Sequence, residues 1–160
     1  MIATPHDLGT WLHLQAGRFP EAQDLAAGLT GADLAAVHAV RDHTARALDR
    51  VRHGSRPPAD ALAALNEAQR AAPAVAELAW NGEVVTTVRR RPGSPGARLS
   101  AWLAEAAAEL LTDPAVAKIR QCEAGDCVML FLPARPRRRW CSPARCGNRV
   151  RVARHYQRHK

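Results

Sequence analysis

Four cysteines, Cys122, Cys127, Cys141 and Cys146, constrain this chain more than any other feature of its sequence. They form two pairs with the same C-x4-C spacing, and 13 residues separate the pairs. Four thiolates in two close pairs suit the tetrahedral coordination that Zn²⁺ prefers. The spacing therefore predicts a structural zinc site, because four protein ligands leave no position for a catalytic water.

Other uses of these cysteines are less consistent with the sequence. The rival ligand set, Cys141 and Cys146 with His155 and His159, has C-x4-C-x8-H-x3-H spacing, which is shorter in the middle than a finger requires. Two disulfides would need an oxidising compartment. The start of the chain, M-I-A-T-P-H-D-L, lacks the basic segment and apolar core of a signal peptide. No apolar run approaches the roughly 18 residues that span a bilayer, so we expect a cytoplasmic protein without membrane contact.

The cysteine pairs also predict the local fold of the C-terminal module. We expect a strand at Val128–Leu132, a return strand at Arg137–Trp140, and a hairpin that brings the two pairs together. Ser142 and Pro143 are typical of a helix start, which would place Cys146 in the first helical turn. This order describes a treble-clef or ribbon-like zinc finger.

The preceding residues carry mainly helical signals. Thr4-Pro5 with Asp7, and Thr30 with Asp33, are helix starts with an N-cap and an acid in the first turn. The expected helices are one from Pro5 that ends by Gly17, and three more at about Ala32–Arg52, Ala59–Ala71 and Ala97–Leu111.

One segment between these helices has a different period. V-A-E-L-A-W, then Asn81-Gly82, then E-V-V-T-T-V-R predicts a β-hairpin with a tight turn. We expect Trp11, Trp80 and Trp102 in the core. The fold class is therefore mainly α with a small β-hairpin (α+β), with a helical domain at residues 1–117 and the finger with a basic C-terminal helix at 118–160.

The charge is divided between these two parts. Residues 1–117 hold 11 Lys and Arg against 13 Asp and Glu, whereas residues 118–160 hold 12 against 2. Such asymmetry points to a polyanionic partner. In the last helix we expect Val150, Ala153 and Tyr156 to pack inward and the arginines to face outward. The predicted nucleic-acid contacts are Arg135, Arg137, Arg138, Arg139, Arg145, Arg149, Arg151, Arg154, Arg158 and Lys160.

Three residues beside the last two cysteines have more than one interpretation. Asn148 could read adenine, but we favour a structural role in which it caps the helix after Gly147. Arg149 could read guanine or hydrogen-bond the carbonyls around the cysteines. Trp140 could serve as a stacking platform, but we expect it to pack beside the metal.

The finger resembles the CGNR zinc-finger proteins. The residues that carry the resemblance are R-R-W-C-S-x-x-x-C-G-N-R at Arg138–Arg149, H-Y-x-R at His155–Arg158, C-E-x-x-D-C at Cys122–Cys127 and L-F-L at Leu130–Leu132. The helical part, with A-D-A-L-A-A-L-N at 59–66, looks like the ABATE domain that accompanies this finger. The resemblance implies a bacterial stress-induced transcription regulator, and such proteins have also been interpreted as RNA-binding.

Three classes of function follow. The leading hypothesis is a zinc-stabilised nucleic-acid-binding regulator of transcription, with DNA expected before RNA although arginine–phosphate contacts serve both. The second is a ligand-sensing or protein-interaction module, with a small-molecule effector in the N-terminal domain or an acidic protein partner. The third, an enzyme, has no nucleophile–base or carboxylate pair in its favour, so we expect no catalysis. The sequence indicates no oligomeric state.

Overall fold

The computed structural model describes residues 2–19 and 21–158. The predicted contact residue Lys160 and the alternative ligand His159 lie outside this range. The chain is mainly helical with two small antiparallel sheets, which confirms the predicted fold class. The helices are α1 (Pro5–Leu14), α2 (Ala22–Ala26), α3 (Gly31–Val51), α4 (Ala59–Ala71), α5 (Pro95–Thr112), a 3-10 turn (Pro114–Lys118), a π-helical turn (Pro143–Gly147) and α6 (Asn148–Arg158). No helix of the described part combines the length and apolar character that a membrane span requires.

The helix starts are set by short-range capping, as predicted. Thr4 Oγ1 accepts from the backbone N–H of Asp7 at 3.1 Å, and the Asp7 carboxylate accepts from the N–H of Thr4 at 3.0 Å. Thr30 and Asp33 form the same reciprocal capping box at the start of α3. Each box satisfies amide groups that the first helical turn leaves unpaired. The short α2 was not predicted, because five residues carry too little periodicity.

Two clusters of apolar side chains form the core of the helical part. Leu8, Leu12, Leu25 and Leu99 are fully buried, and together with Leu34 and Val37 of α3 they join α1, α2, α3 and α5. Val40, Leu65, Ala104 and Ala107 join α3, α4 and α5. Each fully buried leucine contributes about 1.5–3 kcal/mol relative to an exposed one. The rings of Phe19 and Trp102, which also belong to the first cluster or pack against it, stack on each other with centroids 4.2 Å apart.

The predicted hairpin forms, but its turn and its environment differ from expectation. Strands β1 (Val75–Trp80) and β2 (Val85–Arg90) pair antiparallel with Trp80 opposite Val85. The loop has four residues, not two, because the Asn81 side chain accepts from the N–H groups of Glu83 and Val84. Trp80 is 66% exposed, so its expected place in the core is wrong. The strands contribute no residue to either core cluster of the helical part.

The C-terminal module pairs different strands from those predicted. Strand β3 (Arg120–Gln121) pairs antiparallel with β4 (Leu130–Phe131), on either side of the first cysteine pair. The segment 137–140 forms turns and bends, so the expected return strand at Arg137–Trp140 is wrong. Pairing with β3 is favoured because the Cys122–Cys127 loop already turns the chain back on itself.

Candidate metal centre

The four cysteines converge at one point of the C-terminal module. Cys122 follows β3, Cys127 precedes β4, Cys141 lies in a loop, and Cys146 lies in the π-helical turn before α6. The four Sγ atoms all lie within 4.8 Å of one another. Cys122 and Cys146 are buried, and the other two are half-buried. The four thiols therefore form a candidate metal-binding site.

The spacing of the sulfur atoms fits a tetrahedral ion better than it fits disulfides. All four cysteines are free thiols. The Sγ atoms of Cys127 and Cys141 are 3.8 Å apart, and those of Cys141 and Cys146 are 3.6 Å apart. Four sulfurs at the usual Zn–S distance form a tetrahedron with an edge of about 3.8 Å. The donor set and its size thus fit Zn²⁺.

Backbone hydrogen bonds shape the first knuckle, residues 122–127. The Cys122 N–H donates to the Met129 carbonyl at 2.9 Å, which closes the β3–β4 hairpin, and the Cys127 N–H donates to the Ala124 carbonyl at 2.9 Å. The Cys141 N–H donates to Cys122 Sγ at 3.4 Å. Donors aimed at sulfur favour its thiolate form. The local fold therefore prepares the first pair to hold a cation.

The second knuckle, residues 141–146, is built on a helix start. Ser142 is the N-cap, and its hydroxyl accepts from the Arg145 N–H at 3.2 Å, with Pro143 in the first turn. Asn148 has helical φ and ψ of −65° and −46°, so the backbone stays helical from the π-helical turn into α6. The capping role expected for Asn148 is therefore wrong, since Ser142 already performs it six residues earlier.

Trp140 packs beside the thiols and against the backbone of Gly147. Its half-buried side chain packs against the buried cluster of Cys122, Ala124 and Cys146. A Cβ added to Gly147 would lie only 3.2 Å from Cε3 of Trp140. The glycine of the C-G-N-R segment thus lets the indole approach the helix start closely.

The thiols perturb one another's ionisation. Burial raises the pKa of Cys122, but N–H donors from Ala124 and Cys141 outweigh it and lower that pKa to about 7. A hydrogen bond with Cys141, together with burial, raises the pKa of Cys146 to about 12. Burial also raises the pKa of Cys141. Four thiolates cannot coexist at this spacing without a positive ion, so the cluster needs a cation to ionise fully.

Three of the predicted nucleic-acid contacts bind groups within the protein. Arg138 donates to the carbonyls of Trp140 and Cys141 and lies over the Phe131 ring. Arg139 donates to Glu123 at 2.6 Å. Arg149 pairs with Asp126 at 2.8 Å and approaches Cys146 Sγ at 3.7 Å. Arg139 and Arg149 thus tie the loop and α6 to the first knuckle, and Arg138 braces the second cysteine pair. Contact of these three residues with nucleic acid stays a prediction.

Sequence reasoning missed the two acids that pair with Arg139 and Arg149. Glu123 and Asp126 are the two acidic residues of the module, and both lie inside the first knuckle. The Arg139 hydrogen bond lowers the pKa of Glu123, so its carboxylate stays ionised at neutral pH. Two isolated acids in an otherwise basic segment were the available signal.

The remaining arginines face solvent. Of the predicted nucleic-acid contacts that the structure describes, six have a guanidinium group that makes no hydrogen bond or ion pair with the described protein residues. They belong to Arg135, Arg137, Arg145, Arg151, Arg154 and Arg158. Every described side chain from residue 151 onward is exposed, including Tyr156 at 68%. The inward packing expected for Ala153 and Tyr156 is therefore wrong, whereas Val150 does pack against the thiol cluster.

Two family models match the chain. Residues 1–114 match the ABATE model, described as "Putative stress-induced transcription regulator". Residues 118–159 match the model of the CGNR zinc finger. Among curated proteins, none matches the chain.

Proposed function

We propose that this chain, which belongs to the ABATE family and carries a CGNR zinc finger, is a zinc-stabilised nucleic-acid-binding protein that regulates transcription. Zn²⁺ is held by Cys122, Cys127, Cys141 and Cys146. DNA is contacted by the arginines of the finger, and the N-terminal domain serves as the regulatory, ligand-sensing part. The proposed location is the cytoplasm, where thiols remain reduced.

The division of the arginines into two groups is the observation that carries the proposal. Arg138, Arg139 and Arg149 satisfy acceptors within the finger, whereas the six solvent-facing arginines lack such acceptors in the described part. Unopposed positive charge on one small module is destabilising by self-repulsion. Phosphate groups would remove that repulsion, and the planar guanidinium suits them.

Five of the six solvent-facing arginines lie on two segments of the finger, and Arg145 lies in the π-helical turn. Arg151, Arg154 and Arg158 follow i, i+3, i+7 spacing on α6 and line a groove of about 280 Å³. Arg135 and Arg137 lie in the loop before Trp140 and line a second groove of about 430 Å³. Helix α6 has 11 residues, a length of about 16 Å, and an exposed helix of this kind fits the major groove of duplex DNA.

Zinc is the metal that the ligand set favours. Four thiolates are soft ligands, and a closed four-cysteine site is typical of structural zinc. The ion would hold both knuckles and thereby orient the start of α6. In this proposal the metal performs no chemistry on a substrate.

The test is a titration of zinc-loaded protein with fluorescent duplex DNA and with single-stranded and duplex RNA at several salt concentrations. If about six phosphates are neutralised on DNA, log affinity falls against log salt with a slope of about −5. Replacing Arg151 and Arg154 by alanine is expected to reduce the slope by about 2. Arg70, which forms an exposed pair with Glu67 on α4, provides a control substitution with no effect.

Three outcomes would count against the proposal. If the protein binds none of the tested nucleic acids at low salt, the proposed nucleic-acid binding is wrong. Tighter binding to RNA than to DNA would replace DNA by RNA as the partner. Binding that persists unchanged in the Arg151→Ala, Arg154→Ala double variant would place the contact elsewhere and leave an acidic protein partner as the alternative for α6.

A further inference from the structure

Three buried side-chain polar atoms lack a hydrogen-bond partner within the described part of the chain. One is Nε of Arg52, at the end of α3, and the other two lie on α3 and α5. The Ser100 side chain, on α5, is in a residue only 7% exposed, and within the described part its Oγ is unpaired. Nδ1 of His43, on α3, is also buried and unpaired within that part. Native proteins pair about nine in ten or more of such groups. Two unpaired atoms in one region indicate that a partner is missing.

Both residues line the same groove. It has a volume of about 460 Å³ and runs between α3, α4 and α5. Its walls are mainly alanine methyl groups, including Ala36 and Ala39 on α3 and Ala64 and Ala68 on α4. Small side chains on three facing helices leave space that larger residues would fill. The volume lies within the range of small-molecule sites, about 300–1,000 Å³.

One end of the groove already contains a negative charge. The Asp33 carboxylate accepts from the N–H and hydroxyl of Thr30 at 2.8 and 2.7 Å, and it lies close to the backbone of Gly96 at the start of α5. Its capping bonds with Thr30 lower the pKa of Asp33, so the carboxylate is ionised at neutral pH. The positive end of the α5 dipole is therefore already neutralised. An anionic ligand would meet repulsion here.

We propose that this groove binds a small uncharged molecule, flat enough to lie against the alanine walls, that carries one hydroxyl or amide group for Ser100 and His43. A hydroxyl group can both donate and accept, and so can the pair formed by a serine hydroxyl and an imidazole. This site gives a location to the ligand-sensing role proposed above for the N-terminal domain. It depends on neither the metal nor nucleic-acid binding.

The test uses three probes of similar shape on the full-length, zinc-loaded protein without nucleic acid. Phenol carries the hydroxyl, toluene lacks it, and benzoate carries a negative charge. NMR spectra of the alanine methyl groups report binding as saturable shifts at Ala36, Ala64 and Ala68. We expect phenol to bind in the millimolar range and more tightly than either of the other probes.

Two substitutions and a control separate this site from other binding. Ser100→Ala is expected to weaken phenol about threefold or more, by loss of a hydrogen bond, and to leave toluene unchanged. Ala68→Leu is expected to abolish binding of both by filling the groove. Ala63→Leu, on the exposed face of the same helix and outside the groove, is the matched control and should change neither affinity.

The inference would be overturned by any of three results. Phenol shifts could be absent, in which case water satisfies the two polar atoms. Phenol could bind Ser100→Ala as tightly as the unmodified protein. Benzoate could bind more tightly than phenol. The NMR spectrum of Ser100→Ala also shows whether that variant is folded. If Ala68→Leu fails to fold, the Ser100→Ala variant still tests the proposal. None of these outcomes bears on DNA binding by the finger.

Discussion

Nη2 of Arg149 lies 2.8 Å from Oδ1 of Asp126, and this ion pair joins the first turn of α6 to the first knuckle. The same guanidinium approaches Cys146 Sγ at 3.7 Å. A residue that sequence alone could assign to guanine is thus positioned to support the metal site. Its substitution should therefore act on the metal before it acts on the nucleic acid.

Substitution of Arg149 by methionine is expected to lower zinc affinity by up to about tenfold. Groups that support metal ligands contribute about 10- to 100-fold, but both members of this pair are half exposed or more, which reduces the effect. Competition with a chromophoric chelator measures the change. Arg151→Met is the matched control, expected to leave zinc affinity unchanged and to weaken DNA binding. Equal zinc affinities for the two variants would contradict a supporting role for Arg149.

Alanine at Gly147 is expected to destabilise the zinc-loaded finger by about 1 kcal/mol. The new Cβ would lie 3.2 Å from Cε3 of Trp140, so the indole beside Cys141 must move. Thermal unfolding of the zinc-loaded protein measures the loss. Gly125→Ala is the control in the first knuckle, because a Cβ there meets no atom within 4 Å and the φ of Gly125 is not positive. A Gly147→Ala variant as stable as Gly125→Ala would show that the ring has room to move.

Zinc binding is expected to release protons, and more of them as the pH falls. At pH 8 the raised pKa values of Cys141 and Cys146 keep these two thiols protonated without metal, so at least two protons are released on binding. Below about pH 7 the Cys122 thiol is protonated as well, and binding releases its proton too. Affinity therefore decreases with acidification. Calorimetry in buffers of different ionisation enthalpy counts the protons, and a count that is zero or independent of pH would contradict this description.

Alanine at Gly96 is expected to lower the free energy of unfolding by about 1–3 kcal/mol. A Cβ there would overlap the Asp33 carboxylate and lie 3.2 Å from the Asp33 Cα, so α5 and α3 would have to separate. Urea unfolding followed by circular dichroism measures the change. Gly31, also in the first turn of its helix, has open space around it and provides the control. If the two variants unfold at the same urea concentration, α3 and α5 do not approach as closely as described.

The helices and the metal ligands could be predicted from sequence because each depends on residues close together in the chain. The two residues of a capping box are three positions apart, as at Thr4 and Asp7, and the two cysteines of each pair are five positions apart. The C-x4-C spacing of the two pairs was therefore enough to predict that the four thiols form one metal site.

The partners of the arginines, the strand pairing and the groove depended on residues far apart in the chain. Arg139 reaches Glu123 across 16 positions, and β4 pairs with β3 instead of with Arg137–Trp140. Ser100 and His43 belong to different helices, and only their packing places both on one groove. The sequence by itself therefore determined the local helices and the four-sulfur ligand set. The tertiary structure alone decided which charges are satisfied within the protein and which face solvent, because ion pairs and cavities arise from distances between segments that no local pattern encodes.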